Sequence, residues 1–456
     1  MTEGRQGGRS ARLDTRDSPL RNNWGEPLQT IRGLLLFAAD EAAHASGPNM
    51  HPARTIRACQ PRTGRFGLLS HASTTGIGPH DLSKAIKGAA MTATDIPVGA
   101  RDYSLTGADS RRAVEVGLVS AAWYHSDVPR NVMKGLMKRT DGPALRDTAL
   151  WFALLTCEAW GGIHFWGTWA CVPFFLVYGV VYGSSCDSRW HECGHGTAFK
   201  TGWMNDVIYS IASFMVMRNP VTWRWSHARH HTDTYIVGRD AEIAWMRPPQ
   251  LMVNFLAFFD VIGTWRSLKI LLRNAAGTLS SDEKDYIPQT ENGKVVVTAR
   301  VHVAIQAATI VTALALQSWL PLFLIGLPRI YGSWHMVMCG HLQHAGLADN
   351  VLDHRLNART VHMNPVSRYL YWNMNYHVEH HMFPMVPYHA LPRLHALIKT
   401  DLPPPNTSIL DAYREVFASL RQQRIDPEHA QRKVLPPTAR PYRDEFHALH
   451  IARPGT

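Results

Sequence analysis

The six cysteines of this 456-residue chain never fall into a C-x-x-C pair. That spacing excludes an iron–sulfur cluster and a disulfide framework, so Cys59, Cys157, Cys171, Cys186, Cys193 and Cys339 read as buried thiols in a reducing compartment. A Gly-rich dinucleotide fingerprint is missing too, and with it any sign of a built-in nicotinamide or flavin unit. Basic patches interleaved with aromatic residues are absent, which argues against nucleic-acid binding despite a formal net charge of +11. Charge itself is missing from two long stretches. Residues 150–183 hold one acidic residue, Glu158, and no lysine or arginine, and residues 301–328 hold no charged residue at all.

Those two stretches set the fold expectation. A spanning helix needs roughly 17–25 apolar residues, so each block is too long for one span and suits a helical hairpin. "GGIHFWGT" (161–168) and "SWLP" (318–321) supply the turns, giving four expected spans near 146–165, 168–187, 297–317 and 319–340. Buried hairpins in a large soluble domain are the alternative, disfavoured because charge-free runs of this length are rare in soluble folds. Arg329, inside the fourth expected span, must face the helix bundle or snorkel. Residues 188–296 carry about a dozen Lys and Arg and the hairpin turns none, so the middle segment and both termini are expected in the cytoplasm. The basic balance then points to an anionic membrane face.

Four regions follow along the chain. Residues 1–90, rich in Arg, Gly, Ser, Thr and Pro, read as a poorly structured extension, with Met91 as an alternative natural start. Residues 91–145 form a cytosolic segment, amphipathic from 110; residues 146–400 form the membrane domain; residues 401–456 form a cytosolic tail. Within the tail, residues 408–423 alternate at helical spacing and the last thirty or so look loosely ordered. Residues 249–273 fit a helix on the membrane surface or a soluble core helix equally well.

What the chain has in excess is histidine, 25 in all. Scattered ones such as His80, His125 and His429 carry no assigned role. The clustered ones are "HECGH" (191–195), "HARHH" (227–231) and "HVEHH" (377–381), with His341 and His344 in "GHLQHAG". On a helix, residues i, i+3 and i+4 lie near one another, so each cluster offers two or three imidazoles to one locality. Eight box histidines plus His344 exceed what one tetrahedral zinc uses and suit two metals with four or five ligands each. Imidazole donors accept Zn, Cu, Fe or Ni, so ligand type alone does not choose the metal.

The order H-x-x-x-H, H-x-x-H-H, H-x-x-H-H, with one hairpin before the first two boxes and another before the third, resembles the membrane fatty acid desaturase family. The most specific stretch is "NMNYHVEHHMFPMVPYHALPRLH" (373–395), similar to the family's N-x-x-Y-H-x-E-H-H-x-F-P run and the Leu-Pro-x-x-His after it. The resemblance extends from about residue 110 to residue 400. It implies an all-α integral membrane protein, four transmembrane helices in two hairpins under a cytosolic helical cap that holds two iron ions. His191, His195, His227, His230, His231, His377, His380 and His381 then match the ligating boxes, and His344 takes the place of the family's extra ligand. His341, Glu379 and Asp240 are expected behind the ligands, the carboxylates orienting imidazoles through their other ring nitrogen. The resemblance further implies O2 as co-substrate and a membrane lipid or acyl-like substrate. It also implies an external electron donor (a ferredoxin or cytochrome with its reductase) and a place in a bacterial inner membrane. The Glu-Cys-Gly filling of the first box departs from fatty-acyl members. "HECGHGTAF" (191–199) is similar to bacterial relatives with smaller substrates, dihydrorhizobitoxine desaturase and the rhizopine-catabolism hydrocarbon oxygenase. Desaturation and hydroxylation both remain open, with the resemblance favouring desaturation.

Two other classes share parts of the pattern. His191, Gly194 and His195, with Glu192 as general base, fit a site-2-type membrane zinc protease. Such an enzyme needs an aspartate in a Leu-Asp-Gly setting, whereas "VLDH" (351–354) lacks the glycine. A His-rich metal transporter would want ligands inside the spans, where only the isolated His164 and His302 lie.

Overall fold

Helices make up the regular structure of residues 101–447, which the computed structural model describes. Among these residues no strand ladder forms, only isolated bridges between Thr360 and Tyr376 and between Val361 and Asn406. They belong to one unit, Ile96–Thr456. The expected extension over residues 1–90 and the start at Met91 lie outside the described residues.

The first apolar block folds as a hairpin. Gly142–His164 pairs with a helical run made of Cys171–Gly179, a π-turn at Val180–Ser184, and Ser185–Gly194. The chain reverses through Gly167, whose φ of +86° suits glycine. In the second block, Asn292–Ala315 is one unbroken helix. The expected fourth span is not: it divides into Leu320–Leu324, Pro328–Gly332 and Trp334–His344. The cause is local, since Pro328 has no N–H to donate, Ile325 is extended and Gly326 sits at φ +93°.

The π-turn compensates for that break. The Ser184 hydroxyl donates to the Gly332 carbonyl at 2.7 Å and accepts from the Met336 N–H at 2.9 Å, satisfying backbone groups freed where the helix is interrupted. The two backbones nearly touch there. A Cβ on Gly332 would lie 1.9 Å from the Gly179 carbonyl oxygen, and one on Gly183 would lie 2.7 Å from that of Pro328. Such contact is open only to glycine. Arg329 faces the bundle interior: it pairs with Asp260 at 2.7 Å and donates to the Val216 carbonyl.

Gln289–Ala315 is the one described helix long and apolar enough to cross a membrane, and only 22% of its apolar stretch is buried. Elsewhere the chain departs from the expected periods. The amphipathic pattern over 110–145 resolves into short helices, Ala108–Glu115 and Arg130–Leu136, ahead of Gly142–His164. Residues 251–275 form two helices bent at Asp260, which adopts φ +41°, and they expose Met252, Phe255, Phe259, Val261 and Trp265. The tail forms the helix Ile409–Gln423. The residues after it lack helix but are held in place, as the Arg355 guanidinium donates to the Arg440 and Pro441 carbonyls at 3.1 and 2.9 Å. Among the cysteines, Cys186, Cys193 and Cys339 are buried thiols as expected, whereas Cys157 is exposed on the outward face of its helix.

Candidate metal centre

Each histidine box sits on a helix whose start is set locally. The first closes the helix Ser185–Gly194, with His195 as its C-terminal cap residue. The second lies on Pro220–Thr232, which begins with Pro220 in its first turn and with the Asn219 side chain accepting from the Val221 and Thr222 N–H groups. Asn219 also donates to the Val295 carbonyl at 2.8 Å, tying this helix to Asn292–Ala315. The third box is the six-residue helix His377–Met382, entered through Trp372 and Asn373 in left-handed conformation. His344 ends the helix Trp334–His344.

These elements bring nine imidazoles into two groups. One holds His191, His195, His227, His231 and His380; the other holds His230, His344, His377 and His381; in each, the donor atoms all lie within 4.8 Å of one another. In the first group, Nε2 of His191 stands 2.7 Å from that of His380, and Nε2 of His227 stands 3.1 to 3.2 Å from those of His191, His195 and His231. In the second, Nε2 of His377 is 3.0 Å from both His344 and His381. The division follows helix geometry. Every i, i+4 pair (His191 with His195, His227 with His231, His377 with His381) stays in one group, while His230 and His380, 100° around the helix from their neighbours, cross to the other.

The donor set fits metal ions. His227 donates from Nδ1 to Glu242 at 3.1 Å, His230 to Asp240 at 2.9 Å, and His344 to the Asn357 carbonyl at 2.6 Å. With the proton held on Nδ1, Nε2 is a bare acceptor aimed at other ring nitrogens, an arrangement that a cation satisfies. Metal–nitrogen bonds of about 2.0–2.1 Å set neighbouring ligands of a five- or six-coordinate ion about 3 Å apart, in line with these contacts. Electrostatics agree. Burial first, then the neighbouring imidazoles, holds His191, His195, His231, His377, His380 and His381 well below the ordinary histidine pKa; burial does the same for His344, where His230 adds to it. These rings are neutral, ligand-ready bases. In His230 burial opposes the charge, but the Asp240 carboxylate outweighs it and raises the pKa.

The residues expected behind the ligands divide. Asp240 holds His230 and also accepts the Tyr235 and Glu242 N–H groups at 2.8 Å each. Glu379, by contrast, reaches no clustered imidazole; it lies on the back of its helix and accepts from Thr360 and His395. His341 stands apart from both groups, its ring packed on Trp245 and Phe258, and burial lowers its pKa to about 4. Glu192, the general base of the protease pattern, accepts from the Thr197 hydroxyl at 2.7 Å and the Tyr388 N–H at 3.0 Å, and belongs to neither group. Burial pushes its carboxyl up to about 7. Glu242 and Asn357 escaped the sequence analysis because no spacing rule links them to the rings they hold.

Two outcomes follow from this geometry. Glu242→Ala removes the anchor of His227 and is expected to weaken metal binding about 10- to 100-fold, read by competition with a chelator. The second concerns pH. Unfolded histidines titrate near 6.5, whereas seven of the buried ones refuse protons. The metal-free protein therefore has its full stability above that pH and loses it progressively as pH falls below, with His230 opposing as one ring against seven. Thermal melts between about pH 7.5 and 5.5 should show a falling midpoint; a flat midpoint would mean that the rings take up protons without unfolding.

Comparison with known proteins bears on the same stretch. The fatty acid desaturase family model matches residues 167–412. The soybean (Glycine max) omega-6 fatty acid desaturase, endoplasmic reticulum isozyme 1, is 26% identical over 259 residues, covering 49% of this chain and 66% of the relative. The Caenorhabditis elegans delta(12) fatty acid desaturase fat-2 is 29% identical over 83 residues, 18% of this chain and 22% of the relative. The chain thus spans just under two thirds of the first relative's length and under a quarter of the second's. The family match takes in more than half of the chain and every histidine of both groups, and on that ground the protein belongs to the fatty acid desaturase family.

Proposed function

We propose that the protein is an O2-dependent membrane desaturase that holds two iron ions and introduces a double bond into an acyl or acyl-like chain. The observation that carries this reading is the sorting of nine imidazoles into a group of five and a group of four within the family-matched stretch. Iron bound at the two groups would supply O2-dependent oxidation strong enough to remove hydrogen from an unactivated C–H bond. The chain's own part is to bind and orient. The nine imidazoles are the ligands, Asp240, Glu242 and the Asn357 carbonyl fix the tautomers of His230, His227 and His344, and Trp190, packed against His191 and His227, excludes water from one side. Two hydrogens leave the substrate, and two electrons with two protons arrive from an external ferredoxin or cytochrome, so that O2 departs as two waters.

The membrane part of the reading is four spans in two hairpins, with the interrupted stretch 319–340 as the fourth and the metal groups on the cytoplasmic side. It is supported by apolar side chains left exposed along the segments, among them Trp160, Leu176, Val297 and Val311, which call for an apolar solvent. The protease reading loses ground because Glu192 turns its Oε1 to the Thr197 hydroxyl and the Tyr388 N–H, and because the other seven clustered rings would have no role beside His191 and His195. The test is to purify the chain into phospholipid, load it with Fe(II), supply reduced ferredoxin and O2, and analyse the lipids by mass spectrometry. An olefinic product with iron bound supports the proposal. An alcohol would move it to hydroxylation, and tight zinc with no O2 uptake would overturn it.

A further inference from the structure

The third-box helix, His377–Met382, has the most demanding task in the centre and the fewest means of its own to perform it. It serves both groups, with His380 in one and His377 and His381 in the other. At six residues it is far too short to be stable alone. Its rings also lack the second anchor that His227, His230 and His344 possess. Nδ1 of His377 and of His380 is buried without a partner, and Nδ1 of His381 meets only the Thr234 hydroxyl at 3.3 Å. The aim of these imidazoles therefore depends on where the helix sits and how it is rotated about its axis.

One carboxylate governs that rotation. Glu379 lies 200° around the helix from both His377 and His381, at 3.6 residues per turn, and is fully buried. Its Oε2 accepts from the Thr360 hydroxyl at 2.6 Å, and its Oε1 accepts from Nδ1 of His395. Both donors are fixed. Thr360 forms an antiparallel bridge with Tyr376, the residue just before the helix, and the next residue, Val361, donates its N–H to the Asn375 carbonyl at 3.0 Å. His395 belongs to the helix Leu391–Ile398, whose Leu391, Leu394 and Ile398 share an apolar cluster with Val378 and Met382 of the third-box helix. The carboxylate is thus gripped from two sides, and a helix held on its back cannot roll.

We propose that His395, acting through Glu379, is a positioning residue that sets the rotation of the third-box helix and so aims three ligands into both groups at once. The inference rests on the reading of the nine imidazoles as a metal centre. Its test uses the purified full chain loaded with Co(II), which imidazole sites accept and whose visible spectrum reports ligand geometry. His395→Ala is expected to alter the cobalt spectrum and weaken retention about 10- to 100-fold. His395→Gln, whose amide N–H still reaches a carboxylate, is expected to restore the wild-type spectrum. A merely structural role would lower the melting temperature in both variants and leave the bound spectrum unchanged. Should His395→Ala fail to fold, Thr360→Val carries the same reading, since it deletes one hydroxyl at nearly constant volume; a changed spectrum supports the proposal and an unchanged one overturns it. Wild-type spectra in both His395→Ala and Thr360→Val would overturn the proposal while leaving the metal centre standing. A wild-type chain that takes up no cobalt or iron would overturn both.

Discussion

Replacing His380 and His381 together by alanine is expected to empty both metal groups, although the two residues are adjacent in sequence. His380 belongs to the five-imidazole group and His381 to the four-imidazole group, so one double substitution takes a ligand from each. Loss of a residue that merely supports a ligand costs about 10- to 100-fold in affinity, and loss of the ligand itself costs more. His191→Ala offers the contrast, because His191 serves the five-imidazole group alone. Metal content should fall from about two per chain to well below one in the double variant, and to about one in His191→Ala. Elemental analysis beside the absorption spectrum checks both. Equal losses in the two variants would mean that the nine rings act as a single site.

The second large effect is expected far from any ligand, at Gly332. A methyl group there would meet the backbone of Gly179 at its carbonyl oxygen, 1.9 Å away, and backbone cannot step aside as a flexible side chain does. Ordinary overpacking costs about 1–3 kcal/mol, and this contact should exceed that range. The consequence reaches the metal groups, because the helices crossing here lead on to "HECGH" on one side and to His344 on the other. Gly332→Val is expected to yield no folded protein. Gly332→Ala should yield protein with a much lower melting temperature in detergent and reduced metal content in the four-imidazole group. Size-exclusion profiles, melts and elemental analysis decide it. A Gly332→Ala chain with wild-type melting and metal content would mean that the two helices can part without disturbing the centre.

The hairpin of the first apolar block and the helical placement of the boxes were legible in the sequence because both rest on short-range patterns. A block of about thirty residues without lysine or arginine has few places to go but a hairpin, and "HECGH", "HARHH" and "HVEHH" each present imidazoles one turn apart wherever a helix forms. The interruption at Ile325–Leu327 was signalled by Gly326 and Pro328, but hydropathy averages over such residues. The bundle-facing alternative for Arg329 was also readable, though its partner was not: Asp260 lies 69 residues away.

Which ring joins which group was decided by the tertiary structure. The sequence puts His230 beside His231 and His380 beside His381, and successive residues on a helix point 100° apart. Only the placement of four separate helices around the centre turns that divergence into two groups. The partners behind the rings were hidden for the same reason. Glu242 and the Asn357 carbonyl reach His227 and His344 across loops with no periodic relation to them, and Glu379 turned away because its own helix faces it opposite to the ligands. The sequence by itself determined the clustered imidazoles, their spacing and the helices that bear them, since these follow from local backbone geometry. How nine imidazoles divide into two groups, and what holds each ring in line, depends on contacts between segments far apart in the chain, and only packing supplies those.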